Sequence, residues 1–173
     1  MAAVSLAGMA RTAAAPAAQA QVAAGGLGNI MVPCSTDSLA AAISNANSHG
    51  GATLTLPAHC IFSITAPSTV ADGPPLITAS IALLGGPGTV ISRDPVAAFR
   101  ILDIAAGGAL RVSSVAIQNG STAGLGGGIQ NAGNLQLNQV LLSGNSAANG
   151  GGVANISGST ANIYPTVFDR NTA

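Results

Sequence analysis

Apolar residues in this chain come in short runs broken by Gly, Asn and Ser. From about residue 76 the runs are Leu76-Ile77, Ile81-Ala82-Leu83-Leu84, Thr89-Val90-Ile91, the stretch Phe99 to Ile104, and Ala109-Leu110-Arg111-Val112. Val115-Ala116-Ile117, Leu135-Gln136-Leu137 and Val140-Leu141-Leu142 follow. Runs this short suit strands, because an isolated helix needs several turns to hold. Upstream, Thr53-Leu54-Thr55-Leu56 alternates strictly and predicts a strand, as does Cys60-Ile61-Phe62-Ser63-Ile64. One segment follows the helical period: Leu39, Ala42, Ile43 and Ala46 share a face. Ser35 or Thr36 supplies an N-cap, Asp37 suits the positive end of the helix dipole, and His49-Gly50-Gly51 stops it.

The runs are not independent of one another. Gly126-Gly127-Gly128-Ile129-Gln130-Asn131 returns as Gly150-Gly151-Gly152-Val153-Ala154-Asn155, 24 residues on. Leu141-Leu142-Ser143-Gly144-Asn145-Ser146-Ala147 returns as Val167-Phe168-Asp169-Arg170-Asn171-Thr172-Ala173, 26 residues on. In degraded form, Leu110/Val112/Val115/Ile117 superimposes on Leu135/Leu137/Val140/Leu142 at a spacing of 25. A period of this length is the mark of a solenoid.

A unit with three short strands can wind once round a prism, each strand pairing in parallel with its counterpart about 4.8 Å away on the next turn. The expected fold is therefore all-β: a right-handed, single-stranded parallel β-helix of about five turns with a short N-terminal capping α-helix. Inward Leu, Ile and Val then stack into ladders. Asn131 with Asn155, and Asn145 with Asn171, fall at matching positions and predict side-chain ladders. Gly126, Gly127, Gly128, Gly150, Gly151 and Gly152 are expected at tight corners with left-handed φ. The fixed Leu-x-x-Leu-x-Leu framework of leucine-rich repeats is missing.

Composition narrows the function classes. The chain has 173 residues, five Arg, five Asp, no Lys and no Glu, for a net charge of zero. That balance makes no field for nucleic acid or an anionic membrane surface. No apolar run is long enough for a membrane span. Residues 1-20 are mostly small and apolar and end in Ala18-Gln19-Ala20, a small-x-small cleavage pattern. They are expected to be a signal peptide or a disordered leader, although no basic residue precedes the apolar stretch and Arg11 interrupts it. Residues 21-33 are expected as a linker, 34-60 as a cap of helix plus strand, and 61-173 as β-helix turns truncated at the C-terminus. Cys34 and Cys60 flank the predicted helix and strand, so a disulfide between them would staple the cap. Such a bridge also fits an oxidising compartment.

The Gly-Gly-Gly-Ile-x-Asn, Leu-x-Leu and Ser-Gly-Asn-x-Ala order at 126-147 resembles the secreted right-handed parallel β-helix repeat proteins common in actinobacteria. The segment from Ile101 to Leu110 resembles that family's first regular turns, and the Cys34-to-Cys60 stretch its cap. The resemblance covers residues 32-173, implies an N-terminal fragment of a secreted or cell-surface protein, and leaves activity open, since one fold hosts many functions.

Chemistry is sparse. The acidic residues are Asp37, Asp72, Asp94, Asp103 and Asp169, and no two occupy matching positions in well-aligned turns. Asp94 reads as a turn residue, Asp103 as a surface ion-pair partner of Arg100 or Arg111, and Asp169-Arg170 as solvated surface. Gly124-Leu125-Gly126-Gly127-Gly128 lacks the Asp of a Ca²⁺-binding nonapeptide and the Lys-Ser/Thr of a phosphate loop. His49 and His59 have no second ligand pair for zinc. No catalytic, cofactor-binding or metal residue is assigned, and no cofactor is expected.

The expected function is a non-enzymatic exported β-helix, a cell-envelope or extracellular structural and interaction module. Its expected partners are cell-wall or extracellular polysaccharide or another surface protein. The alternative is a polysaccharide-active lyase or hydrolase whose site lies partly outside this chain. The two readings differ in their surfaces: the first predicts an uncharged Ser/Thr/Asn face, the second carboxylates gathered in a groove. A third reading, surface binding by regular Thr ladders, has only Thr53-x-Thr55 behind it.

Overall fold

The computed structural model describes residues 26-69, 71-94 and 97-173. The export segment expected at 1-20 lies outside them, as does 21-25. The chain runs β1 (Asn29–Met31), α1 (Thr36–Ser48), β2 (Gly51–Thr55), β3 (Ile61–Ile64), β4 (Ser80–Leu84), β5 (Val90–Arg93) and β6 (Leu102–Ile104). It continues through β7 (Ala109–Ser113), β8 (Ala116–Gln118), β9 (Ile129–Asn131), β10 (Asn134–Asn138), β11 (Leu141–Ser143), β12 (Val153–Asn155), β13 (Thr160–Ile163) and β14 (Val167–Asp169).

Every pairing between these strands is parallel, and each joins one turn to the next. Three sheets result, ordered β1-β2-β4-β7-β10-β13, β14-β11-β8-β5-β3 and β12-β9-β6. They are the three walls of a β-solenoid of about five turns. The degraded repeat is real in space: Leu110 pairs with Leu135, Val112 with Leu137 and Ile117 with Leu142. The 24-residue spacing places Ile129 against Val153, and the 26-residue spacing places Leu142 against Phe168.

One continuous core fills the coil. Leu54, Leu83, Val112 and Leu137 form one buried ladder, and Phe62, Ile91, Ile117 and Leu142 another. A coil this narrow holds its rungs with aliphatics, at about 25 cal/mol for each Å² of apolar surface withdrawn from water. Phe168 occupies the next rung of the second ladder yet is 48% exposed, because no described residue lies over it. Of the three Phe residues, Phe62 and Phe99 are buried.

The cap forms as its sequence dictates. The Ser35 side chain accepts a hydrogen bond from the Ser38 backbone N–H, Asp37 sits in the first turn, and His49 ends the helix. Leu39, Ile43 and Ala46 are fully buried and close the core at this end. The Cys34–Cys60 disulfide ties the residue before the helix cap to the residue before β3. The cap is nevertheless not separate from the coil. β2, within the cap range expected from the sequence, is a rung paired with β4, and β1, within the expected linker, pairs with β2.

The glycine triplets divide their work. Only the first of each is left-handed: Gly126 at φ +63° and Gly150 at +64°. The other four are glycine for a different reason than corner geometry. A Cβ on Gly127, Gly128 or Gly151 would run into backbone of the neighbouring turn, and on Gly152 into the Phe168 ring. Other corners are left-handed whether or not a glycine stands there. His59, Gly88, Ser114 and Gln139 all precede the second sheet with φ of +55°, +70°, +55° and +54°. Asn119, Gly144 and Arg170 all follow that sheet with φ of +62°, +64° and +48°. The repeating corner is a backbone conformation that the coil imposes on whatever residue arrives there.

Candidate functional site

The chemically dense part of the described chain is a charged cluster spanning three turns. Asp72, in the first turn, bridges Arg100 in the second, and Asp103 lies one helical pitch from Gln130 in the third. Arg100 is buried to 7% exposure. Its Nε lies 3.3 Å from Asp72 Oδ1 and its Nη1 2.9 Å from Asp103 Oδ2. Thr69 donates to the other oxygen of Asp72 at 2.8 Å, and Gln130 Nε2 to the other oxygen of Asp103 at 3.3 Å. Burial pushes the Asp103 carboxyl above the usual carboxylate range; the Arg100 charge opposes that shift and the Asp72 charge adds to it.

The sequence expectation of a surface pair for Asp103 is corrected in two respects. The pair is largely buried, and Asp72 joins it. The partner is Arg100, while Arg111 stands exposed on the first sheet. No sequence signal links Asp72 to Arg100. They are 28 residues apart, and only the coil's pitch makes them neighbours. The remaining acids do not gather here. Asp169 pairs with exposed Arg170 in the last turn at 2.8 Å. Asp94 directly follows β5 and has no ion-pair partner among the described residues.

This cluster is closed on itself. Both oxygens of each carboxylate face a protein donor, and Arg100 is held from both sides. Asp72 Oδ1 and Arg100 Nε are buried and lack an aligned hydrogen bond, so their contact is a charge pair rather than a directed one. A group poised to donate or accept a substrate proton needs a free face. Among the described residues, no group of three His, Cys, Asp or Glu is placed to hold a metal ion. No described helix is long and apolar enough to cross a membrane.

The asparagines form the second constellation. Asn131 and Asn145 are fully buried. Asn131 Nδ2 donates to Asn155 Oδ1 at 2.6 Å and to the Thr160 carbonyl at 2.9 Å. Asn145 Nδ2 donates to the Ile117 carbonyl and to Asn171 Oδ1, while its Oδ1 accepts from the Gly120 backbone N–H. Asn171 repeats the arrangement one turn on, donating to the Leu142 carbonyl and accepting from the Asn145 backbone N–H. Each amide satisfies backbone groups that the corner removes from sheet pairing.

Outer faces complete the inventory. The second sheet presents Ile61, Val90, Ala116, Leu141 and Val167 in one row beside Ser63, Ser92, Gln118, Ser143 and Asp169. A shallow open groove beside it is lined by Gln118, Asn119, Ser143, Gly144 and Arg170. The distal part of the first sheet carries Asn134, Gln136 and Asn138 on β10 and Thr160 and Asn162 on β13, with no carboxylate among them. Tyr164 is 48% exposed beside this face.

Comparison of the chain with protein families, curated proteins and solved structures returned no match. The fold therefore rests on the strand pairings themselves, which form a β-solenoid of about five turns.

Proposed function

We propose that this chain is an exported, non-catalytic β-helix that serves as a structural and interaction module of the cell envelope or extracellular space. One observation carries the reading. The charged cluster of Asp72, Arg100 and Asp103 is spent on joining turns, while the distal strands of the broadest sheet, β10 and β13, turn an uncharged amide and hydroxyl face outward. Export is supported by the Cys34–Cys60 disulfide, a bond that persists in oxidising compartments. It agrees with the small-x-small pattern at Ala18-Gln19-Ala20.

The competing reading, a polysaccharide-active enzyme, draws on Asp103, whose raised carboxyl and neighbouring Asp72 are features acid catalysts share. Incubation with pectic, xylan and β-glucan substrates, with reducing-end and unsaturated-product detection, separates the two. The scaffold reading expects no product. Product release that disappears in Asp103→Asn would sink it.

A further inference from the structure

Two classes of side-chain amide occur in this coil, and they differ in what they are bonded to. Asn131, Asn145 and Asn171 are bound to neighbouring turns. By contrast, the side chains of Asn134, Gln136, Asn138, Thr160, Asn162 and Tyr164 make no hydrogen bond with any described residue. These six stand together. Register sets Asn134 beside Thr160 and Gln136 beside Asn162, and just past the end of β13 the Tyr164 N–H bonds the Leu137 carbonyl, bringing Tyr164 next to Asn138. The result is a two-by-three grid, about 4.8 Å between rungs and about 7 Å along each strand. Arg111 extends the middle row onto β7, opposite Gln136.

The chemistry of this grid is specific. It holds no carboxylate and a single flanking cation. Its amides and hydroxyls both donate and accept, so they match a ligand whose groups do the same. At its corner is Tyr164, the chain's one Tyr in a sequence without Trp. An exposed ring of this kind offers an apolar face and a polar tip. Hydroxyls that donate and accept, arrayed around apolar C–H faces and bearing no charge, are the groups of a neutral polysaccharide.

We propose that the outward grid of β10 and β13, with Tyr164 at its corner and Arg111 at its flank, binds a neutral polysaccharide chain. The proposal rests on the interaction-module reading and names its partner and surface. The amides bond hydroxyls along the polymer and the Tyr164 ring packs against a sugar face. Because charge contributes little, binding is insensitive to salt.

The test is retention of the 173-residue chain on insoluble cellulose, chitin and β-glucan, and its mobility in gels containing soluble xylan. Wild-type protein is expected to be retained on at least one of them, equally at low and high salt. Tyr164→Ala and the pair Gln136→Ala/Asn162→Ala are each expected to weaken retention about tenfold, the effect of losing one to two buried polar or ring contacts. Gln118→Ala/Ser143→Ala, on the second sheet, is the control and is expected to bind as wild type. All these positions point outward, so folding is checked by unchanged circular dichroism and melting temperature. No retention on any neutral polymer overturns the proposal, as does retention unaffected by the grid variants or abolished by salt. Product release would sink the non-catalytic reading alone, leaving the grid as a binding surface. Absent retention without products would sink the grid alone.

Discussion

At the scale of single residues, the coil depends on groups whose replacements fail for separate reasons. Asn145 is fully buried and pairs the Gly120 N–H and the Ile117 carbonyl. Asn145→Ala leaves the buried Gly120 N–H unpaired and is expected to cost about 1-3 kcal/mol, read from the urea midpoint. Asn155 is exposed; it donates to Ser159 within its own turn and accepts from Asn131, which keeps its bond to the Thr160 carbonyl when Asn155 is removed. Asn155→Ala is expected to cost less than about 1 kcal/mol in the same experiment. The glycines differ in kind. Gly126→Ala strains a left-handed residue, at about 1-2 kcal/mol, and also drives a methyl into the Ile129 backbone. Gly127→Ala drives a methyl into the backbone of the next turn without that strain, and both variants are expected to lower the urea midpoint.

Asp103 supplies a pH test at the same scale. Its folded carboxyl titrates above the unfolded one because burial disfavours the charge. The folded state therefore binds the proton more tightly. The stability this group contributes is complete below the unfolded value and is lost as pH rises through the raised folded value. Wild type and Asp103→Asn, compared by denaturant titration from acid to neutral pH, are expected to diverge across that window. Wild type loses stability relative to the variant as pH rises. Parallel curves would remove the assigned role of burial at Asp103.

At the scale of elements, α1 and its disulfide close one end of the coil. The helix was legible because cap, apolar face and stop signal all lie within about 15 consecutive residues, the range over which local rules act. The disulfide encloses a separation of 26 residues. In the chain-entropy view its removal costs about 3-4 kcal/mol. Cys34→Ser/Cys60→Ser, or wild type under reductant, is expected to melt markedly lower, and an unchanged midpoint would exclude the staple. The strands were legible where their spacing is 24-26 residues, as between Leu110 and Leu135 or Leu135 and Ala161. In the first turns Leu54 meets Leu83, and Leu83 meets Val112, at 29 residues. Longer corners there leave no repeated motif to align, so the rung made by β2 was read as part of a cap. β1 was missed altogether, because three residues of Asn-Ile-Met carry no periodicity.

At the scale of the molecule, a solenoid's stability is a sum of turns and the contacts between neighbours. The turns from β2 to β9 are bound by the cap, the disulfide and the Asp72–Arg100–Asp103–Gln130 cluster. The last turn has Ile163, Val167 and Phe168 exposed and one neighbour among the described residues. Hydrogen exchange is therefore expected to be graded: slowest in β4 and β7, fastest in β13 and β14. Uniform exchange would mean that the coil opens as one unit.

The amino-acid sequence by itself determined the helix and its caps, the strands of the regular turns, the period and the ladder positions, because each is written in residues close together or in motifs that recur. Tertiary structure decided what depends on pitch. It set Asp72 against Arg100, distinguished the bonded asparagines from the free ones, and aligned Asn134, Gln136, Asn138 and Tyr164 into one face. Those relations join residues about one turn apart, and turn length varies along the chain. No sequence spacing specifies them until the strands have paired.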